Sequence, residues 1–253
     1  MKALLPDFLK FKTAKDLIRI GRDNDGGYLI SKKDIKYSDI LISLGINSDW
    51  SYEEDFLKYK KVPILAFDGT INSKKFFKNI LKTIFRFDNP KLFINAVKTY
   101  ISYLRFFRNS IRHFQKNVSS QTKEISKYIT LEEVFALTDK NNVFLKIDIE
   151  GFEYRILDSI LKNQNRLSGL AIEFHDFDLH LDKIESFIKQ LSLHLVHIHA
   201  NNWGIILEKS QLPEGLEMTF SSNAEQEEKS ILPHPLDMPN NPSKEEIILT
   251  FDL

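Results

Sequence analysis

The chain has 253 residues, of which 42% are hydrophobic and 12% aromatic, so it is long enough to form one large α/β domain with a packed core. Basic and acidic residues balance at 35 each, and the absence of cysteine excludes disulfide frameworks, thiolate nucleophiles and cysteine-ligated zinc or iron–sulfur sites. The amino terminus meets an acid and a proline too early for a signal-peptide core, and no apolar run approaches the roughly 20 residues of a membrane span, so a cytoplasmic location is expected.

The predicted elements alternate between strand and helix along the chain. Short apolar or β-branched runs predict strands at 28–30, 39–44, 62–67, 143–147, 170–174, 194–198, 203–207 and 247–251. Helical spacing and capping boxes at Ser51 and Thr130 predict helices at 52–59, 73–87, 90–115, 130–137, 152–162 and 181–191. This alternation predicts an α/β fold with a doubly wound, mostly parallel sheet. Neither an internal repeat nor a linker interrupts it, which favours a single domain over 1–253 with an amino-terminal hairpin or helix extension at 1–38.

A basic segment follows the second strand of the predicted sheet. Residues 72–117 contain eleven lysines or arginines and one acid, Asp88, and their aromatic residues recur at helical spacing. We expect two amphipathic helices, separated at Pro90, that form an insertion. Three roles remain open for it: a lid or homodimer element, an electropositive wall for an anionic substrate, or adsorption to an anionic membrane surface.

The run from Val143 to Ile147 delivers two carboxylates and a glycine to the point where a strand becomes a helix. Asp148 and Glu150 therefore lie at the carboxyl end of a strand, where open α/β sheets hold their ligands. The alternative for Asp148 is a helix cap.

The first two strands of the sheet carry a cofactor signal. The first ends at Gly45 and the second at Asp68, an interval close to the roughly 20 residues at which an acid binds ribose hydroxyls. The three-glycine pyrophosphate fingerprint is missing. A nucleoside cofactor without a pyrophosphate, such as S-adenosylmethionine, fits this pattern.

Several segments together resemble the FkbM-type methyltransferases and occur in that family's order. They are 19–28, 42–54, 67–70, 145–153 and 172–175, with 197–202 and 236–241 in the carboxyl-terminal half. The most specific is Lys-Ile-Asp-Ile-Glu-Gly-Phe-Glu at 146–153. The resemblance implies a Rossmann-like class I methyltransferase fold that uses S-adenosylmethionine to O-methylate sugars or glycosylated natural products.

The resemblance also implies roles for individual residues in cofactor binding. It places Gly45 and Asn47 beside the methionine half of the cofactor and Asp68 on its ribose. Glu53 is a further neighbour, with a helix-capping alternative, and Arg22 in the amino-terminal hairpin is expected to close over the cofactor.

Methyl transfer to a hydroxyl requires alignment of the oxygen and removal of its proton. Asp148 and Glu173 end adjacent predicted strands, and His175 follows, so these three side chains are candidate ligands for Mg²⁺ or Mn²⁺. In the metal-free alternative His175 is the general base and Asp148 orients it. Glu150 is a further catalytic candidate, with bracing of the Gly151 turn as its alternative.

Other polar residues are candidates for binding the acceptor. His199, Asn201 and Asn202 lie at the end of a predicted strand, and Arg105 and Arg108 in the insertion could contact phosphates.

We therefore predict an S-adenosylmethionine-dependent O-methyltransferase for a sugar hydroxyl, carried on a nucleotide for bacterial surface polysaccharide, with no nucleic-acid partner. A non-catalytic nucleotide-sugar or glycan-binding protein and a membrane-associated lipid-linked glycan methyltransferase are the alternatives.

Overall fold

The computed structural model describes residues 1–84, 86, 88–120, 124, 126–225 and 232–251. Its strands are β1 (Lys2–Leu5), β2 (Leu17–Ile20), β3 (Tyr28–Ser31), β4 (Ile40–Leu44), β5 (Ile64–Phe67), β6 (Ile111–Phe114), β7 (Asn117–Val118), β8 (Tyr128–Ile129), β9 (Val143–Ile147), β10 (Leu167–Phe174), β11 (His194–Ala200), β12 (Leu216–Ser221) and β13 (Ile248–Phe251). Its α-helices are α1 (Lys32–Tyr37), α2 (Ser51–Tyr59), α3 (Ser73–Thr83), α4 (Pro90–Phe106), α5 (Leu131–Ala136), α6 (Leu157–Lys162) and α7 (Leu181–Gln190).

Seven strands form the central sheet in the order β11-β12-β10-β9-β4-β5-β6. All neighbouring pairs are parallel except those of β12, which runs antiparallel to both β10 and β11. The chain proceeds outward from β4 to β6 and then returns to the other side of β4 at β9. This reversal is the topological switch point of a doubly wound sheet, so the predicted Rossmann-like, mostly parallel fold is confirmed.

The sheet is covered on both faces, because successive side chains along a strand point to opposite sides. On one face Ile42 of β4 and Leu145 of β9 pack in a core with helices α5, α6 and α7. On the other face Leu41 and Phe144 pack in a second core with α1 and α2. Strands buried on both faces explain the continuous apolar runs of the sequence.

The predicted helix at 90–115 is wrong in its last part. Helix α4 ends at Phe106, and Ile111–Phe114 form the edge strand β6, parallel to β5. The ring of Phe114 stacks on Phe67 of β5 with centroids 4.8 Å apart, so packing against the sheet overrides the helical spacing. The predicted helix at 73–87 ends at Thr83, and its positions 85 and 87 lie outside the described residues.

The predicted strand at 203–207 is also wrong. This segment makes only an isolated bridge, between Ile206 and Pro213, and the sheet is completed by β12. The alternation of apolar and polar residues over Leu216–Ser221 is the period-two signal that could have identified β12. The predicted strand at 247–251 exists as β13, but it pairs with β1 in a separate two-stranded sheet.

One of the two predicted capping boxes is present at the start of its helix, and the other is not. Thr130 and Glu133 form the predicted capping box at α5. The box predicted at Ser51 is absent: α2 begins after Trp50 without a side-chain cap. Ser31 caps α1, a helix that the sequence analysis did not place. The predicted helix at 152–162 is a short 3₁₀ turn followed by α6.

Candidate active site

A cleft of about 960 Å³ opens at the carboxyl ends of β4, β5, β9 and β10. Its walls include Gly45, Asp68, Asp148 and His175, each from the segment that follows a different strand. The cleft lies across the switch point between β4 and β9, where an open α/β sheet leaves room for a ligand between its diverging loops.

The turn after β4 is fixed at Gly45. This residue has φ +77°, and an added Cβ would stand 1.6 Å from the carbonyl oxygen of Asp148, so only glycine fits. Its N–H donates to the carbonyl of Phe67 (2.9 Å), and its own carbonyl accepts from Nζ of Lys146 (2.7 Å). Strands β4, β5 and β9 are thereby joined at the floor of the cleft.

The carboxylate of Asp68 accepts four hydrogen bonds. One oxygen accepts from the N–H groups of Ile46 (3.2 Å) and Asn47 (2.7 Å), and the other from the N–H (2.7 Å) and hydroxyl (2.6 Å) of Thr70. Burial raises the pKa of Asp68, but these donors outweigh it and hold the pKa below its ordinary value. Asp68 is therefore an anion that organises the turn after β4, and a ribose hydroxyl would have to share its oxygens.

Three predicted metal ligands converge on the other side of the switch point. One donor atom each from Asp148, Glu173 and His175 lies within 4.8 Å of the others. Nε2 of His175 is 3.8 Å from Oε1 of Glu173 and 4.0 Å from Oδ1 of Asp148. Oε2 of Glu150 is 3.6 Å from the same nitrogen, but the side chain of Glu150 is 84% exposed.

A carboxylate that the sequence did not single out orients His175. Oε1 of the fully buried Glu153 lies 3.2 Å from Nδ1 of His175 and also accepts from the N–H groups of Ile149 (3.0 Å) and Gly151 (3.3 Å). Glu153 thus braces the turn after β9, the role considered for Glu150. The available signal was the position of Glu153 at the end of the specific stretch at 146–153.

Two more buried groups that sequence reasoning missed hold the carboxylates. Tyr28 donates its hydroxyl to Oε2 of Glu173 (3.0 Å), and Lys146 places its Nζ 3.3 Å from Oδ2 of Asp148. The signal for Lys146 was a lysine inside an otherwise apolar strand, because a buried ammonium requires an anionic or carbonyl partner.

Burial and the neighbouring acidic side chains change the pKa values of Glu173 and His175. Burial, followed by the charges of Asp148 and Glu217, raises the pKa of Glu173 to about 8. For His175 burial lowers the pKa, but Glu153, Glu173 and Asp148 raise it more, to about 9. The cluster therefore favours a cation, either the imidazolium or a bound ion, at its centre.

The remaining predicted cofactor residues line the cleft. Glu53 is buried and accepts a hydrogen bond from the Ser43 hydroxyl, while Arg22 pairs with Asp49 at the rim (3.3 Å).

The predicted acceptor residues divide into two groups. Asn201 lines the cleft and donates to Oε1 of Glu173 (2.6 Å). His199 lies beside Glu217 (3.0 Å), and Asn202 donates to the carbonyl of Asn241 (3.0 Å), so both are buried away from the cleft. Arg105 and Arg108 do not line it either: both are exposed, and Arg105 borders a separate hollow on α4.

Comparison with protein-family models and with curated proteins gives no match. Among solved structures, the chain is similar to an rRNA methylase from Streptococcus thermophilus (12% identity, TM-score 0.38, covering 75% of this chain and 93% of that one). It is also similar to a precorrin-6y C5,15-methyltransferase from Geobacter metallireducens (12%, TM-score 0.37, 83% and 95%) and to the fibrillarin pre-rRNA processing protein of Methanococcus jannaschii (8%, TM-score 0.36, 76% and 70%). Similarities at this level do not extend to an activity, and the fold assignment depends on the strand order itself.

Proposed function

We propose that the chain is an S-adenosylmethionine-dependent O-methyltransferase that acts on a sugar hydroxyl. One observation carries the proposal: a single cleft holds the Gly45–Asp68 turn on one side of the switch point and the cluster of Asp148, Glu173 and His175 on the other. The first side suits a nucleoside, and the second suits an acceptor hydroxyl that must lose a proton.

In this proposal the cofactor lies over the ends of β4 and β5. The turn at Gly45 and Asn47 receives the methionine half, and Asp68 accepts from a ribose hydroxyl in exchange for one of its present donors. Glu53 contributes by bracing Ser43 on the strand below, and Arg22 closes the rim.

The cluster fits a divalent cation such as Mg²⁺ or Mn²⁺. Asp148, Glu173 and His175 would hold it, since two carboxylate oxygens and an imidazole form a donor set that suits Mn²⁺ and, with water, Mg²⁺. The contact from Glu153 to Nδ1 leaves Nε2 of His175 facing the two carboxylates, which is the carboxylate–histidine arrangement common at metal sites. A bound cation would lower the pKa of an acceptor hydroxyl.

The metal-free alternative is less favourable. With a pKa of about 9, His175 holds a proton at neutral pH and cannot take another from the acceptor. In addition, that alternative has Asp148 orient His175, whereas Nδ1 of His175 contacts Glu153.

The acceptor side of the cleft suits a neutral sugar. Trp203 lines it and is 56% exposed, so its ring can stack against a sugar. The amide of Asn201 lies beside Glu173 in the same part of the cleft. The acidic side chains of Asp25, Asp176 and Glu214 also line the cleft, which disfavours a diphosphate at this end. We therefore assign the cleft to the sugar and leave any anionic carrier outside it.

The test is methyl transfer from labelled S-adenosylmethionine to a panel of sugars and nucleotide sugars, with Mn²⁺ or Mg²⁺. We expect His175→Ala to lose at least about a hundredfold in turnover while it still binds the cofactor, because it acts at the acceptor. His194→Ala, at the exposed start of β11, is the matched histidine control. Near-normal turnover of His175→Ala would reject the assignment, and sugar binding without any transfer would favour the non-catalytic alternative.

A further inference from the structure

Helix α4 presents an apolar stripe to solvent. Ile94, Ile101 and Leu104 are 49%, 40% and 49% exposed, and their spacing of seven and three residues places them on one side of the helix. The opposite side faces the protein, where Ala96 is buried and Tyr103 packs against Phe107. The exposed side chains are therefore not the edge of the core, and leaving them in water is unfavourable.

A row of positive charge borders this stripe. Lys91, Lys98 and Arg105 are exposed and recur every seven residues, so they lie along the same side of α4. Within the described part of the chain none of the three forms an ion pair with a carboxylate within 4.0 Å. We call these three cations and the three apolar residues Ile94, Ile101 and Leu104 the α4 face.

The neighbouring helix has the same character. On α3, Phe77 and Leu81 are each 49% exposed, while Lys74, Lys78 and Lys82 follow one another at i, i+4 spacing. The two helices belong to a segment with eleven basic residues and one acid, so the positive potential extends over both.

We propose that the α4 face docks the protein on an anionic lipid surface. Its composition is that of an in-plane amphipathic helix, in which apolar side chains enter the acyl boundary and basic ones contact lipid phosphates. Among the described residues no helix has both the length and the apolar character needed to cross a bilayer.

Charge distinguishes this occupant from a second copy of the chain. A symmetric dimer brings the same patch of both subunits together, and here that would oppose Lys91, Lys98 and Arg105 with their own equivalents. An anionic surface instead complements them. A polyanion without an apolar layer would leave Ile94 and Ile101 in water.

The hairpin of α3 and α4 is attached beside the cleft. Trp50 contacts Phe76 of α3 and Phe106 of α4, and its neighbours Asp49 and Ser51 line the cleft. Docking through α4 would therefore bring the cleft close to the lipid surface, whether or not the cleft has the function proposed above.

The test is co-sedimentation of the full chain with vesicles of phosphatidylglycerol and phosphatidylcholine, compared with phosphatidylcholine alone. We expect binding only to the anionic vesicles, reduced by added salt. The triple variant Lys91→Gln, Lys98→Gln, Arg105→Gln should lose about a hundredfold in partitioning. The control triple Lys36→Gln, Lys183→Gln, Lys209→Gln removes the same charge from exposed sites elsewhere and should bind normally.

A second triple variant tests insertion of the apolar stripe. Ile94→Ser, Ile101→Ser, Leu104→Ser changes only exposed positions, so folding should be kept, and we expect at least a tenfold loss of partitioning. The proposal is overturned if the wild type ignores anionic vesicles, if the serine triple binds them normally, or if the control triple loses as much as the α4 charge triple. Self-association in sedimentation velocity that the serine triple abolishes would assign the face to a second copy instead.

Discussion

At the residue scale, the cluster at the ends of β9 and β10 depends on side chains behind the ones that face the cleft. Glu153 fixes both the turn after β9 and one nitrogen of His175, while Tyr28 and Lys146 hold Glu173 and Asp148. The proposed cation site formed by Asp148, Glu173 and His175 is thereby oriented by groups that do not themselves reach its centre.

Replacement of Glu153 by glutamine should separate positioning from ligation. Glu153→Gln preserves the size of the side chain but removes the charge that orients Nδ1, so we expect Mn²⁺ affinity to fall about 10–100-fold. Calorimetric titration of Mn²⁺ into the purified chain measures this effect. Glu208→Gln is the matched control, since Glu208 is exposed and does not line the cleft. Equal losses in the two variants would contradict the positioning role.

Asp34 is a buried acid whose titration bears on stability. Burial raises the pKa of Asp34 to about 7, although hydrogen bonds from Ser221 and Asn223 lower it. Because the folded-state pKa lies above the unfolded value of about 4, the native chain binds the proton more tightly. The free energy of unfolding should therefore fall as pH rises from about 4 to about 7, and the full penalty is present above that range.

Asp34→Asn should remove this penalty. At pH 8 we expect the variant to be more stable than the wild type by on the order of 4 kcal/mol, with the difference largely gone at pH 4.5. Urea unfolding at the two pH values measures it. A variant that is destabilised equally at both values would show that the carboxylate is needed for its hydrogen bonds and not penalised for its charge.

At the element scale, the helical hairpin of α3 and α4 is fastened to the sheet by aromatic packing. Trp50 is 5% exposed, and its ring centroid lies 5.6–6.4 Å from those of Phe76, Tyr103, Phe106 and Phe107. A second link joins Tyr103 to Nδ1 of His113 (2.8 Å), whose Nε2 donates to the carbonyl of Asp68 (3.1 Å). The hairpin is thus connected to Asp68, which lines the cleft.

Loss of the Trp50 ring should release the hairpin. Trp50→Ala leaves a cavity among four aromatic residues, and we expect a loss of about 3–5 kcal/mol in unfolding free energy. Trypsin should then cleave faster at the basic residues of α3 and α4, as mapped by mass spectrometry. Trp203→Ala, at the exposed tryptophan, serves as the control and should keep wild-type stability. Slow cleavage in Trp50→Ala would contradict this anchoring.

Two elements that the sequence did not predict, β6 and β12, depend on partners that are distant in sequence. Strand β6 carries Arg112 and follows a long amphipathic helix, so its local pattern continued that helix until pairing with β5 decided otherwise. Strand β12 contains Glu217 and Thr219, polar residues that are buried by partners distant in sequence: Glu217 lies beside His199, and Thr219 donates to the carbonyl of Leu29. Neither partnership can be read from a local window.

At the scale of the whole molecule, the sequence predicted the doubly wound sheet because its inner strands are buried on both faces and read as continuous apolar runs. The same reasoning brought Gly45, Asp68, Asp148, Glu173 and His175 to one cleft, since parallel strands end at a common edge. Contacts between segments that are distant along the chain could not be predicted from the sequence. His199 and Asn202 lie at the end of a strand as expected, but they contact Glu217 and Asn241 instead of the cleft. The local pattern of apolar and polar residues does not predict these partners.

Calorimetric titration of S-adenosylmethionine into the purified chain tests the central claim most directly, because binding does not require knowledge of the acceptor. We predict one molecule bound per chain, displaced by S-adenosylhomocysteine, with Asp68→Ala weakening binding at least about tenfold through loss of the ordered turn and of the ribose acceptor. Asp158→Ala, which removes an acid from the first turn of α6, should bind as the wild type does. Absence of binding by the wild type, or equal affinity in Asp68→Ala, would contradict the proposed cofactor site.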